Sequence, residues 1–168
     1  IDCIAYGCTS GTVAAGYDVI KEKVNLAKPE AKVTTPITSA IKALKVLGID
    51  KISIFTPYTK TINDSVVNYF KKENIIVNSL TYFNIDSDLD IGKVDEDYLF
   101  EVLSKIDLED SDALFVSCTA LPVLSIIDRL EKKLNKVILS SNQTLIWDSL
   151  NEINYKEKID GFGKLFNS

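Results

Sequence analysis

Short, largely apolar runs alternate along this chain with stretches whose apolar residues recur at helical spacing. The runs fall at residues 3–6, 32–34, 52–55, 75–82, 113–116 and 137–139. Each is of strand length and largely β-branched or aromatic, as expected of parallel strands covered on both faces. Between them, Ile37, Ile41, Leu44 and Leu47 share one helix face, with Gly48 where a C-terminal cap is wanted. Leu99, Leu103 and Ile106 form a second face, and Val123, Ile127, Leu130 and Leu134 a third. Ser141 or Asn142 is placed to cap a last helix carrying Leu145, Trp147 and Leu150. Residues 86–97 are acidic and irregular and read as a loop. Strand–helix alternation of this kind predicts an α/β fold with mainly parallel sheets flanked by helices and right-handed connections.

Sheets of this kind bind ligands beyond the carboxyl ends of their strands. Four predicted strand ends carry polar or reactive residues there: Cys8, Tyr58, Cys118 and the Ser140-Ser141-Asn142 segment. Two of the ends repeat each other. Ile4-Ala5-Tyr6-Gly7 runs into Cys8-Thr9, and Leu114-Phe115-Val116-Ser117 runs into Cys118-Thr119. A thiol opening a helix meets free backbone N–H groups that favour the thiolate, and Thr9 and Ser10 add hydroxyls suited to a carboxylate or oxyanion. Two thiols on one pocket can divide the work of nucleophile and proton donor without metal or organic cofactor. The plain alternative for each is a small buried cysteine at a strand end. Cys3, in mid-strand, reads as a packing residue. Tyr58 is placed to aim its hydroxyl at a carboxylate, or else is a half-buried rim aromatic. Asn84, Asp86 and Asp88 reach the same rim or serve turn chemistry.

Composition narrows the classes. The 168 residues suit one domain, and 46% hydrophobic with 26% charged residues are those of a globular protein. A net charge of −5 without a Lys/Arg cluster argues against a nucleic-acid partner. No run approaches the ~20 apolar residues of a membrane span, and no signal-peptide pattern opens the chain. Three irregularly spaced cysteines indicate no disulfide framework, and hence a reducing, cytoplasmic setting. The absence of histidine removes a Cys–His dyad. Without paired CxxC spacing or a Gly-rich phosphate loop, neither a zinc site nor a nucleotide cofactor has support. The chain starts at Ile1, already inside a strand pattern, and is read as processed, trimmed or partial.

Five segments together resemble the Asp/Glu racemase superfamily in its maleate cis–trans isomerase and arylmalonate decarboxylase branch. They are Tyr6-Gly7-Cys8-Thr9-Ser10-Gly11, Thr56-Pro57-Tyr58, Ile91-Gly92, Phe115-Val116-Ser117-Cys118-Thr119 and the stretch from Ser140 to Trp147. They keep the family's order across nearly the whole chain; each alone is weak. The resemblance implies a single α/β domain over 1–168, built of two pseudo-symmetric lobes (approximately 36–110, and 1–35 plus 111–168) with the site between them. It implies a homo-oligomer that works without a cofactor on a small carboxylate or dicarboxylate. Carried over, Cys8 is the nucleophile that adds to an alkene carbon and Cys118 the general acid/base. Tyr58, Thr9, Ser10 and Thr119 hold the substrate. Asp88 aligns with an Asn that the family often supplies before Ile91-Gly92; ionised, it repels a dicarboxylate. The family's usual first strand–helix unit, with a Ser-Asn-Thr-type loop, does not precede Ile1. Maleate-type isomerisation is the leading expectation. The alternatives are an amino-acid or hydantoin-type racemase, an arylmalonate-type decarboxylase (a branch that typically lacks the first cysteine) or a catalytically incomplete ligand-binding relative.

Overall fold

The strands pair in parallel throughout residues 1–167, the part of the chain that the computed structural model describes, and they form two sheets. β1 (Cys3–Ala5) pairs with β2 (Lys32–Thr34), with Ala5 opposite Thr34. The second sheet has the order β4-β3-β5-β6, built from β3 (Lys51–Thr56), β4 (Ile76–Tyr82), β5 (Ala113–Val116) and β6 (Val137–Ser140). All six strands lie where the apolar runs predict them. The two central strands, β3 and β5, are buried along nearly their whole length, which is why they read as largely apolar runs. Phe55 stands opposite Val116, and Val116 opposite Ser140, so β3, β5 and β6 end level with one another. That alignment builds the rim on which the site sits.

Among the described residues eight α-helices connect and cover the strands: α1 (Thr9–Ala15), α2 (Tyr17–Ala27), α3 (Pro36–Leu47), α4 (Lys60–Lys72), α5 (Asp88–Ile91), α6 (Glu96–Leu103), α7 (Ile127–Leu134) and α8 (Ser141–Glu152). In α3, Pro36 occupies the first turn, where its missing N–H costs nothing. Ile37, Ile41 and Leu44 are buried along one face as the periodicity requires. The helix stops at Gly48, whose φ of 66° places it in the left-handed region. There Ile49 N–H returns to Leu44 O (2.9 Å) and Gly48 N–H to Lys45 O (3.2 Å), a Schellman closure. The core is anchored by Phe55, Phe70 and Phe115, all fully buried, with Phe70 and Phe115 edge to face at 5.1 Å. Among the described residues no helix is long and apolar enough to cross a membrane.

β5 and β6 pair into the sheet of β3 and β4, so that sheet runs from residue 51 to 140. Two expectations are corrected. Residues 86–97 are not simply a loop. Ser87 caps α5 and Asp95 caps α6, accepting from Tyr98 N–H at 2.9 Å, so these polar residues are helix-start chemistry. The cap of α8 is Ser140, one residue earlier than expected. Its Oγ accepts from Gln143 N–H and its own N–H donates to Gln143 Oε1, both at 3.2 Å, a reciprocal capping box.

α8 joins the two sheets. It leaves β6 and lies against β1, β2 and α3. Ser149 shares a 2.8 Å hydrogen bond with Thr34, and the buried Asp148 accepts from Ser39 Oγ (2.7 Å) and Lys42 Nζ (2.9 Å). Ser140→Ala removes the cap in a fully buried setting and is expected to cost about 1–2 kcal/mol. A lower urea midpoint at unchanged slope is the measurement that checks it.

Candidate active site

The rim is assembled from the carboxyl ends of β1, β3, β5 and β6. Behind β3, the turn through Pro57 to Tyr58 is held by the buried Asn63 of α4. Thr56 Oγ1 donates to Asn63 Oδ1, Asn63 Nδ2 donates to Tyr58 O (3.0 Å), and Tyr58 N–H donates to Thr56 Oγ1 (3.2 Å). These bonds fix the backbone from which Tyr58 extends. The ring is only 4% exposed, and its hydroxyl accepts from Ser117 Oγ at 3.4 Å.

Cys8 is the N-cap of α1. Its extended backbone (φ −137°, ψ 113°) turns the side chain over the first turn, where Sγ accepts from Gly11 N–H at 3.2 Å. A thiol thus fills the position usually taken by Ser, Thr, Asp or Asn. Ser10 Oγ lies 3.7 Å from the same sulfur. Cys8 is half-buried. The local fold is reinforced by Thr12 Oγ1, which donates to Cys8 O at 2.7 Å.

Cys118 is held differently. It is 5% exposed, and its φ of 93° is a conformation that L-residues rarely adopt. Such strain persists only where surrounding contacts over-determine the backbone. Here Ser117 N–H extends the ladder to Phe55 O (2.8 Å), while Cys118 N–H leaves it for Ser141 Oγ (3.0 Å). The sulfur accepts from Ala120 N–H at 3.4 Å. Burial pushes the Cys118 thiol up from its usual range; the amides of Ala120 and Leu121 and the Tyr58 hydroxyl work against that shift, and the Asp88 charge adds to it. Burial likewise raises the Tyr58 phenol, with Cys118 as the next contribution. Both groups therefore stay protonated at neutral pH.

One hydroxyl ties the two cysteine segments together. Ser141 Oγ, at the first position of α8 and fully buried, accepts from Cys118 N–H and shares a 2.8 Å hydrogen bond with Thr9 Oγ1. A second tie runs alongside, with Thr119 Oγ1 donating to Gly7 O at 2.9 Å. Asn142 Nδ2 donates to Thr119 O at 3.0 Å.

Of the residues expected at the site, Cys8, Thr9, Tyr58, Cys118 and Thr119 are drawn together by these contacts, with Ser10 beside Cys8. Thr9 and Thr119 spend their hydroxyls on the ties. Asp88 stands exposed at the start of α5, whose Gly92 packs near the carbonyl of Ala120. Cys3, with Sγ 4.0 Å from Thr34 Oγ1, is away from these contacts. Sequence reasoning missed Asn63, Ser117 and the bridging role of Ser141. The shift of the α8 cap to Ser140 is what frees Ser141 to reach Thr9 and Cys118, and a Ser-Ser pair ahead of an Asn-Gln pair was the signal available. Among the described residues no group of three His, Cys, Asp or Glu side chains is arranged to hold a metal ion.

Comparison with known proteins places this geometry in context. The family model for arylmalonate decarboxylase matches residues 16–166. A maleate isomerase from Geobacillus stearothermophilus is 27% identical over 172 residues, an alignment covering 98% of this chain and 68% of the relative. The crystal structure of the maleate isomerase Iso from Pseudomonas putida S16 superposes with a TM-score of 0.92 at 22% identity, over 99% of this chain and 70% of that one. A Cys→Ser mutant of the Nocardia farcinica maleate cis–trans isomerase, solved with a covalently bound succinylcysteine intermediate, superposes with a TM-score of 0.90 at 18% identity, covering 98% and 71%.

The raised Cys118 titration has a consequence for stability. As pH rises, the unfolded chain releases this proton first, near the ordinary thiol value of about 8.5. The contribution is therefore full below that pH and is lost as pH climbs through the higher folded-state value. Chemical denaturation across pH 7 to 10 is expected to show stability falling above about 8.5, and falling less steeply in Cys118→Ala.

Proposed function

Because this chain belongs to the arylmalonate decarboxylase family, we propose that its reaction within that family is the cofactor-independent cis–trans isomerisation of a small dicarboxylate, maleate to fumarate, through Cys8 and Cys118. The observation that carries this reading is the unequal setting of the two thiols. Cys8 is half-buried, with its sulfur facing an N–H donor and a hydroxyl. Cys118 is buried and kept protonated. One is dressed as a nucleophile and the other as an acid.

In this reaction the Cys8 thiolate adds to one alkene carbon, forming a C–S bond. The displaced π pair shifts to the neighbouring carbon and takes the proton of Cys118, leaving a succinyl thioether on Cys8 and a thiolate on Cys118. The former double bond is now single and rotates. Cys118 then removes a proton from the same carbon, the trans double bond forms, and the C–S pair returns to Cys8. No atom is gained or lost, and no redox partner is required. The succinylcysteine in the Nocardia relative is the species this scheme passes through.

Each remaining residue has a part. Ser10 and Tyr58 offer hydroxyls to the substrate carboxylates, while Thr9 and Thr119 act by fixing the two cysteine loops. Asp88, exposed at the start of α5, adds a minor contribution against ionisation of Cys118, far behind burial. Decarboxylation calls on Cys118 alone; a second sulfur placed as Cys8 is placed favours addition–elimination.

Maleate turnover followed by proton NMR tests the scheme. Cys8→Ala and Cys118→Ala are each expected to lower kcat by about a thousandfold or more while leaving the circular dichroism spectrum unchanged. Normal turnover in either variant would sink the two-thiol mechanism.

A further inference from the structure

The hydroxyl of Tyr6 and the thiol of Cys8 close on the same point above Gly11. A Cβ placed on Gly11 would lie 2.7 Å from Tyr6 Oη and 2.9 Å from Cys8 Sγ, inside van der Waals contact with both. Only a residue without a side chain lets the two atoms come this near from either side. Tyr6 swings from a fixed base. Its N–H donates to Thr34 O and its carbonyl accepts from Cys8 N–H, both at 2.9 Å. Its ring, at 38% exposure, is one of the more solvent-open aromatics of the fold, and its hydroxyl makes no hydrogen bond to another described residue. An open aromatic with an uncommitted donor beside a half-buried thiol is not explained by packing.

We propose that Tyr6 is a positioning residue for the nucleophile: when Cys8 carries negative charge, Tyr6 Oη–H donates to its sulfur alongside Gly11 N–H and Ser10 Oγ–H. This rests on the reading of Cys8 as the nucleophile. The chain contains no histidine, and among the described residues no hydrogen bond or ion pair joins Cys8 to a lysine or arginine. Charge on the sulfur must then be met by neutral donors, and a hydrogen bond to a charged acceptor is about twice as strong as one to a neutral acceptor. A hydroxyl that does not bond the resting thiol but meets it over Gly11 stabilises the charged form selectively. It acts twice in each turnover, before the C–S bond forms and again as that bond breaks and charge returns to sulfur.

The test uses the full chain and a probe independent of any substrate. Iodoacetamide alkylates the thiolate with loss of iodide, and the Cys8 peptide is followed by mass spectrometry across a range of pH. Tyr6→Phe keeps the ring and removes only the hydroxyl. It is expected to slow Cys8 labelling at neutral pH by about three- to tenfold and to displace its pH profile upward, with circular dichroism and the urea midpoint unchanged. Gly11→Ala, whose methyl pushes oxygen and sulfur apart, is expected to displace the profile in the same direction. A Tyr6→Phe profile that superimposes on that of the unaltered protein overturns the proposal. If the profile shifts but the unaltered protein does not isomerise maleate, the isomerase reading falls and the role of Tyr6 stands. If turnover of maleate is present and the profile does not shift, Tyr6 alone is removed.

Discussion

The Ser141 hydroxyl is the contact on which the rest of the site depends. It meets Thr9 from the first cysteine segment and the N–H of Cys118 from the second, and it does so while fully buried. A buried hydroxyl with two partners is costly to disturb, because any slip leaves polar groups stranded away from water. The strained backbone at Cys118 is one consequence. Its N–H has left the strand ladder for Ser141, and the positive φ that this requires is sustained by contacts on both sides. The coupling of the two sheets is another, since Thr9 follows β1 while Cys118 and Ser141 follow β5 and β6. α8 extends the same junction through Ser149, Asp148, Ser39 and Lys42.

Around that clamp, two chemically identical side chains acquire different characters. Cys118 is withdrawn from solvent among Tyr58, Ser117 and the turn that follows it, and desolvation alone favours the neutral thiol. Cys8 sits at the start of a helix, partly open, with donors directed at its sulfur. Enzymes that need an acid and a nucleophile from the same residue type commonly separate them through environment. In the proposed reaction that separation would rest on amides and hydroxyls, since the chain has no histidine and, among the described residues, no hydrogen bond or ion pair joins Cys8 to a lysine.

Thr9 and Thr119 sit beside the thiols and point their oxygens at Ser141 and Gly7, contacts that hold the two cysteine segments together. Asn63 does the same for Tyr58 from beneath, through the Thr56 side chain and the Tyr58 carbonyl. Tyr58 and Cys118 are thus each secured by a neighbour in another element, and Cys8 by its own helix, which limits motion at the rim.

Much of this was legible in the chain itself. Largely apolar, β-branched runs located all six strands, because strands covered by helices are rich in apolar side chains; the 3.6-residue spacing with Gly48 located α3 and its end; and the repeated Cys-Thr lies just beyond the ends of β1 and β5, as read. Local chemistry sufficed for these, since each depends on residues within one element. The acidic stretch at 86–97 was misjudged because Ser and Asp serve loops and helix caps equally well, and only the fold of the following turn separates the two uses. The division into sheets, the one-residue shift of the α8 cap, the Ser141 bridge, the positive φ at Cys118 and the meeting of Tyr6 and Cys8 over Gly11 belong to the tertiary structure. Most of them join residues far apart in sequence. Even the local ones, a cap, a dihedral and a close approach, take their form from how the strands end level and how the chain returns upon itself.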